Sequence, residues 1–338
     1  MKNLHAMLTP SFYLLLATVF WSFSFTWTKD AVDAANRGGG VPHDSGFGTA
    51  LVLGMRFALA GLVWFAIFPN ALPWSLGIAG WRRLLVVAVL FSMGLVFQTL
   101  CLVQTTEAVS AFLTSLVVLI VPMLMAYGTG LLRRLGCDVQ ARRIPMLVWV
   151  CVGVAVPGFV MMSWAPEVDS SSHQAAASGV HVLGVAYGLL CAAAFSMQIF
   201  ALNDAVRAHG SFTVTGTLFV LSAVMILPWS MSYGVPPARA AEAVMSWEVA
   251  WRVGMLVLLP GVLAFGLANH FQPKVEPYRA AIIYLLEPVL TAVIAFWLAG
   301  RGLTGIQMFG AAFILIANVL CELVEAKERD RSRRESSG

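Results

Sequence analysis

The sequence predicts an all-α membrane protein of ten transmembrane helices, arranged as two inverted five-helix repeats around a central cavity. Three observations carry that expectation. Of 338 residues, 59% are hydrophobic and only 11% are charged, whereas soluble domains carry about 25% charged residues. The apolar residues gather into runs of about 20, the length that crosses a hydrocarbon core of about 30 Å. The second half of the chain echoes the first.

The predicted spans run roughly 12–29, 48–68, 84–103, 108–131, 145–164, 179–201, 212–233, 250–270, 279–299 and 304–324. The first follows a single Lys2, as a signal peptide would, but no small-x-small cleavage site follows, so an uncleaved helix is expected. Turn-forming or charged stretches separate most of the rest: NRGGGVPHDSG, GWRR, RRLGCDVQARR, APEVDSSSHQ, NDAVRAHG, GVPPARAAEA and QPKVEP. Two boundaries are thin, QTTEA between the third and fourth spans and GRGLT between the ninth and tenth. Pro122, Pro157, Pro228, Pro260 and Pro288 fall inside spans and predict kinks. Gly184 with Gly188, and Gly54 with Ala58, permit close helix approach, read here as contacts within the chain.

Positive charge sets the orientation. With both ends cytoplasmic, the inner segments hold 15 of the 21 Lys and Arg, including Arg133, Arg134, Arg142, Arg143 and the tail from Lys327 to Arg334. The outer segments hold Lys29, Arg37, Arg239, Arg252 and Arg301, and Arg56 lies inside the second span. The tail reads as a disordered basic end that fixes topology. The five cysteines are odd in number and form no CxxC, so they are read as reduced packing or incidental thiols, Cys137 in a basic loop. No metal or cofactor is called for.

The echo lies between 104–126, QTTEAVSAFLTSLVVLIVPMLMA, and 272–295, QPKVEPYRAAIIYLLEPVLTAVIA. Each begins at Gln, passes a Glu and small residues, and enters an apolar helix holding a proline. An odd number of spans per half makes the halves insert in opposite senses, with a site near the midplane between them. The first repeat is placed at 1–164, a loop at 165–178, the second repeat at 179–325 and the basic tail at 326–338.

On these stretches the chain resembles the drug/metabolite transporter superfamily, in its EamA-type ten-helix form. The resemblance rests on FWSFSFTWTKDAV, GMRFALAGL, FQTLCLVQTTEAVSAFLTSLVVLIVP and, most specifically, RAAIIYLLEPVLTAVIAFWLAGRGLTGIQMFGAAFILIANVL. It implies a secondary-active carrier, commonly an exporter of small metabolites, amino acids or drug-like solutes. It also implies a multi-pass protein of a bacterial inner membrane, a monomer or weak homodimer, with a small-molecule substrate and lipid as partners and no nucleic acid. Two departures stand out: Arg301 replaces the acid usual after the ninth helix, and LRRLGCDVQARR lacks its counterpart.

The polar residues inside the spans supply the candidate site. Ala280, Tyr284, Glu287 and Thr291 share one helical stripe whose other faces are apolar, so Glu287 is expected to face the bundle interior. There it either lines a solute path, with a possible role in proton coupling, or fixes packing. Arg56 is the second deep charge, at a height about 6 Å from that of Glu287 by helix rise. The two could pair, leaving Glu287 charged; unpaired, Glu287 could carry a proton and Arg56 could clasp a carboxylate or phosphate. Trp21 and Ser24 on the first span, Gln98 on the third, Thr114 on the fourth, Gln198 on the sixth and Asn269 on the eighth complete the binding candidates. Packing is the alternative for each, and Lys29 is expected to snorkel to the outer surface.

An intramembrane enzyme is disfavoured, because the sequence holds no HExxH, no GxSxG and no paired Asp on adjacent spans. The absence of GxxxxGK[ST] argues against ATP as the driving force. A channel or lipid scramblase is the main alternative, although one chain in two halves offers no evident ring of filter groups.

Overall fold

The computed structural model describes residues 2–74, 76–137, 146–164, 182–271, 283–300 and 302–317, together with 319–320 and 323. Every regular element among them is helical. In chain order they are α1 Lys2–Gly39, α2 Gly46–Ile67, a 3₁₀ turn at Pro69–Ala71, α3 Ile78–Gln104, α4 Glu107–Ser115, α5 Val117–Tyr127, α6 Thr129–Arg134 and α7 Met146–Trp164. Then come α8 Val182–His209, α9 Ser211–Ile226, a 3₁₀ stretch Leu227–Tyr233, α10 Pro237–Met245, α11 Trp247–Leu256, a π-helix Val257–Leu263 and α12 Ala264–Phe271. The last two are α13 Leu286–Ala299 and α14 Gly305–Ala317.

Six stretches are long and apolar enough to cross a membrane: 46–67, 78–104, 107–127, 182–209, 211–233 and 247–271. Shorter apolar helices lie at Trp149–Gly158, Leu286–Ala299 and Gly305–Ala317. The chain is a multi-pass membrane protein. Each predicted span overlies helical residues, but the bounds differ. The first is a 38-residue helix, because Lys29, Asp30, Asp33 and Asn36 find partners or burial and the helix continues to Gly39. The sixth continues to His209 and stops where Gly210 takes φ +79. The loop 165–178, the start of the ninth span at 279–282, Arg301 and the tail 326–338 lie outside the described residues.

Capping explains both thin boundaries. At QTTEA, Thr105 turns extended and the Thr106 hydroxyl accepts from the Val109 amide at 3.2 Å, with Glu107 in the first turn of α4. After α13, Gly300 takes φ +66. The Thr304 amide then donates to Gln307 Oε1 at 3.0 Å, while the Gln307 amide donates to Thr304 Oγ1 at 3.2 Å. That reciprocal pair is a capping box, which starts α14.

Among the described residues, the three largest of five apolar cores hold most of the helices. Phe57, Trp64 and Phe219 centre the largest, where α2 meets α9, α11 and α1. Phe112, Leu113 and Ile314 join α4 to α8 and α14. Leu84, Val87, Ala205 and Val214 close the third, between α3, α8 and α9. A Cβ on Gly188 would lie 2.4 Å from Leu113 Cδ1, and one on Gly184 would lie 2.8 Å from Thr105 Cγ2. One on Gly54 would meet Leu227 at 2.8 Å. These small residues therefore serve contacts within the chain. Cys101, Cys137, Cys151 and Cys191 are buried free thiols. Cys137 is thus no incidental loop thiol but a core residue packed with Leu132 and Leu84. Cys321 is outside the described residues.

Candidate functional site

Helix breaks position the site. Pro288 has no amide proton, so the Tyr284 carbonyl loses its α-helical partner, and the helix is interrupted by a turn at Leu285 before α13 resumes. The counterpart in the first half breaks at Leu116, between α4 and α5. The interruption falls before Pro122, so it is the turn and not the proline that divides that helix. Leu116 and Leu285 occupy equivalent places in the two echoing stretches. The two broken helices meet, since α13 packs on α4, and α1 packs on α13.

Glu287 opens α13 and is half-buried. Ser22 Oγ on α1 lies 3.3 Å from the Glu287 carbonyl and 2.8 Å from Thr18 O, so one hydroxyl proton ties α1 to the broken helix. The Glu287 carboxylate makes no hydrogen bond or ion pair among the described residues. It is within electrostatic range of Tyr284 and of Cys191 on α8. One turn on, Thr291 is fully buried and its hydroxyl has no partner.

Trp21 closes this group from α1. Its ring lies 5.6 Å from that of Tyr284 and 5.4 Å from that of Phe265, and its indole N–H donates to the Pro260 carbonyl at 3.3 Å. That carbonyl belongs to the π-helix, where Pro260 has no amide to give and the regular bonding pattern is displaced.

A second polar knot adjoins on α3, α4 and α8. Gln98 Nε2 donates to Thr114 Oγ1 at 3.2 Å, Thr114 donates to Ser110 O at 2.9 Å, and Ser110 donates to Gln98 O at 3.2 Å. Cys191 Sγ lies 3.6 Å from Thr114 Oγ1. Gln198 is buried on the same helix, seven residues further, hence on the same face as Cys191.

The structure thus brings together Trp21, Tyr284, Glu287 and Thr291, with Gln98 and Thr114 alongside. Others are placed differently. The Ser24 hydroxyl donates to Trp21 O at 2.6 Å, within its own helix. Asn269 Nδ2 donates to Thr215 Oγ1 at 2.5 Å, linking α12 to α9. Arg56 is buried on α2 and does not pair with Glu287. Lys29 does not snorkel: its ammonium donates to the Thr105 carbonyl, tying α1 to the α3–α4 turn. Nearby, Arg252 pairs with Asp30 at 3.6 Å and lies 4.7 Å from the Trp251 ring. The π-helix and the Lys29 anchor had no clear sequence signal beyond Pro260 and a polar turn.

Residues 182–321 match the family model described as the EamA-like transporter family. An uncharacterised transporter of Archaeoglobus fulgidus is 25% identical over 132 residues, which cover 39% of this chain and 45% of that protein. The chain therefore aligns with less than half the length of that relative. A solved crystal structure superposes with a TM-score of 0.51 at 14% identity, covering 92% of this chain and 98% of the other; this likeness is one of fold alone.

Proposed function

We propose that the protein is a secondary-active membrane transporter, an exporter of small metabolites, amino acids or drug-like solutes that works by alternating access. Ten spans form two inverted repeats, 1–164 and 179–325, joined by the loop 165–178, with the tail 326–338 and both ends on the cytoplasmic side of a bacterial inner membrane. It acts as a monomer or weak homodimer. One observation carries the reading: Glu287, a carboxylate without a charge partner among the described residues, sits at a helix break next to the Trp21–Tyr284 pair. Unsatisfied polar groups at membrane depth are costly and are retained where they serve a path. Pro288 and the π-helix free backbone carbonyls beside the same group. Such carbonyls and half-helix ends are the materials of carrier sites.

Glu287 is the proton-coupling candidate. With no cation beside it among the described residues, its carboxylate can gain and lose a proton as the cavity opens to either side. Tyr284, Thr291, Trp21, Gln98, Thr114, Gln198, Ser24, Asn269 and Arg56 are the proposed lining or supporting groups. The test is a melting screen of the purified protein in detergent against pooled metabolites, at mildly acidic and at neutral pH, with and without Glu287→Gln. A ligand at 100 times its dissociation constant adds about 2.7 kcal/mol of stability. Counterflow of the hit in liposomes then follows. Proton coupling is refuted if Glu287→Gln moves the solute at an unchanged rate with an unchanged pH dependence.

A further inference from the structure

Arg56 stands ten residues into the 22-residue α2, about 15 Å along its axis at ~1.5 Å per residue. That is the middle of a hydrocarbon core of about 30 Å. The residue is only 4% exposed, and its Nε has no hydrogen-bond partner. No described carboxylate comes within ion-pair distance. The ring of the adjacent Phe57 lies 5.3 Å from the guanidinium. Snorkelling does not account for a cation so deep and so covered, and helix tethering does not account for one with no bond to another helix.

Two more idle polar groups lie on the same two packed helices, α1 and α2. Thr49, seven residues back on the same face of α2, is fully buried with an unpartnered hydroxyl. A Cβ on Gly48 would lie 2.5 Å from the Val32 carbonyl of α1, and Ala60 lies against Gly261 of the π-helix. With α1 and α2 antiparallel, that register sets Arg56 at about the height of Thr26, one turn (~5 Å) from Ser22 and Glu287. Thr26 is 2% exposed and its hydroxyl has no partner either. A run of rings joins Arg56 to the Glu287 group: Phe57 to Phe91 at 5.6 Å, Phe91 to Phe265 at 5.4 Å, and Phe265 to Trp21 at 5.4 Å. Of these rings, Phe265 and Trp21 keep exposed surface.

We propose that Arg56 is an anion-binding site, which takes the carboxylate or phosphate of an organic acid whose apolar body lies against Trp21 and Phe265. A guanidinium holds either oxyanion through two parallel N–H donors. Lipid headgroups are excluded as the source by depth. The inference rests on the carrier reading and narrows it: the solute carries a negative group, and Arg56 supplies the charge that compensates it inside the membrane.

The experiment uses full-length protein in detergent and three probes of one shape: phenylacetate, phenyl phosphate and the neutral phenylacetamide. Thermal stabilisation against concentration is compared for the wild type, Arg56→Lys and Arg56→Met. At least one acid stabilises the wild type at concentrations about tenfold below the amide, about 1.4 kcal/mol. The preferred acid identifies carboxylate or phosphate. That preference disappears in Arg56→Met and is reduced in Arg56→Lys, which keeps the charge but loses the fork. Equal effects of acids and amide on the wild type overturn the proposal. So does an acid preference that survives in Arg56→Met, or a full effect from inorganic phosphate alone. If Arg56→Met does not fold, the wild type and Arg56→Lys still decide the matter. Failure here leaves the carrier reading standing, because that is judged by the metabolite screen and by counterflow in liposomes.

Discussion

Gly188 offers the sharpest test of how the helices are fitted together. A methyl group added there would lie 2.4 Å from Leu113 Cδ1, 2.9 Å from Leu113 Cβ and 3.2 Å from Cys101 Sγ. Carbon atoms settle at about 3.5–4.0 Å. Leu113 Cδ1 can swing aside by rotation, but Leu113 Cβ is fixed to the backbone of α4. Leu113 and Cys101 are both fully buried, so no empty volume receives the displaced atoms. Relief requires α8 to move away from α3 and α4. Overpacking of this kind costs about 1–3 kcal/mol, and a clash with a backbone-fixed atom belongs near the upper end. Replacing a mid-helix glycine by alanine returns about 1 kcal/mol. Gly188→Ala should therefore lose about 2 kcal/mol. The assay is a melt followed with a thiol-reactive dye, since the described cysteines are buried and become reactive when the helices separate. Gly254→Ala is the control: nothing lies within 4 Å of its added Cβ, so it should melt as high as the wild type or higher. Leu113→Ala in the Gly188→Ala background should recover part of the loss, a non-additivity expected of groups in contact. The reasoning is refuted if Gly188→Ala and Gly254→Ala melt together.

Burial, with the Asp204 charge as a lesser cause, pushes the Cys137 thiol up from its ordinary range. Less thiolate is present at a given pH, so native Cys137 should label slowly at neutral pH and faster as pH rises, and Asp204→Asn should speed the reaction; fast labelling at neutral pH would contradict this. Thr291→Val removes a buried hydroxyl with no partner, so it should raise stability by about 1 kcal/mol by relieving desolvation. A melt lowered by as much would show that the hydroxyl is satisfied in the membrane.

Much of this was legible beforehand, for physical reasons. Apolar runs of bilayer length mark spans because the membrane imposes that length on every sequence alike. The stripe Tyr284–Glu287–Thr291 could be drawn from helix period alone, and Gly184 and Gly188 announced close approach by their lack of a side chain. What could not be drawn was adjacency. Whether Arg56 meets Glu287 depends on which helices are neighbours and how they are turned, which similar height does not settle, and the two do not pair. Lys29 illustrates the other limit. A lysine at an expected span end reads as a snorkel, but the α3–α4 turn supplies a bare carbonyl at Thr105 within its reach. The break at Leu116 has no composition signal either, because a turn inside an apolar run looks like the run.

The π-helix has a mechanical consequence. A π turn contains one residue more than an α turn, a surplus parked in the helix at Val257–Leu263. That surplus turns the residues beyond it relative to those before it, compared with an unbroken α-helix. Asn269, bound to Thr215, lies on the far side of the surplus, and Arg252, paired with Asp30, on the near side. The Trp21 indole grips the carbonyl of Pro260, where the surplus is held. That single N–H therefore ties α1 to the one stretch of this helix whose bonding pattern is displaced.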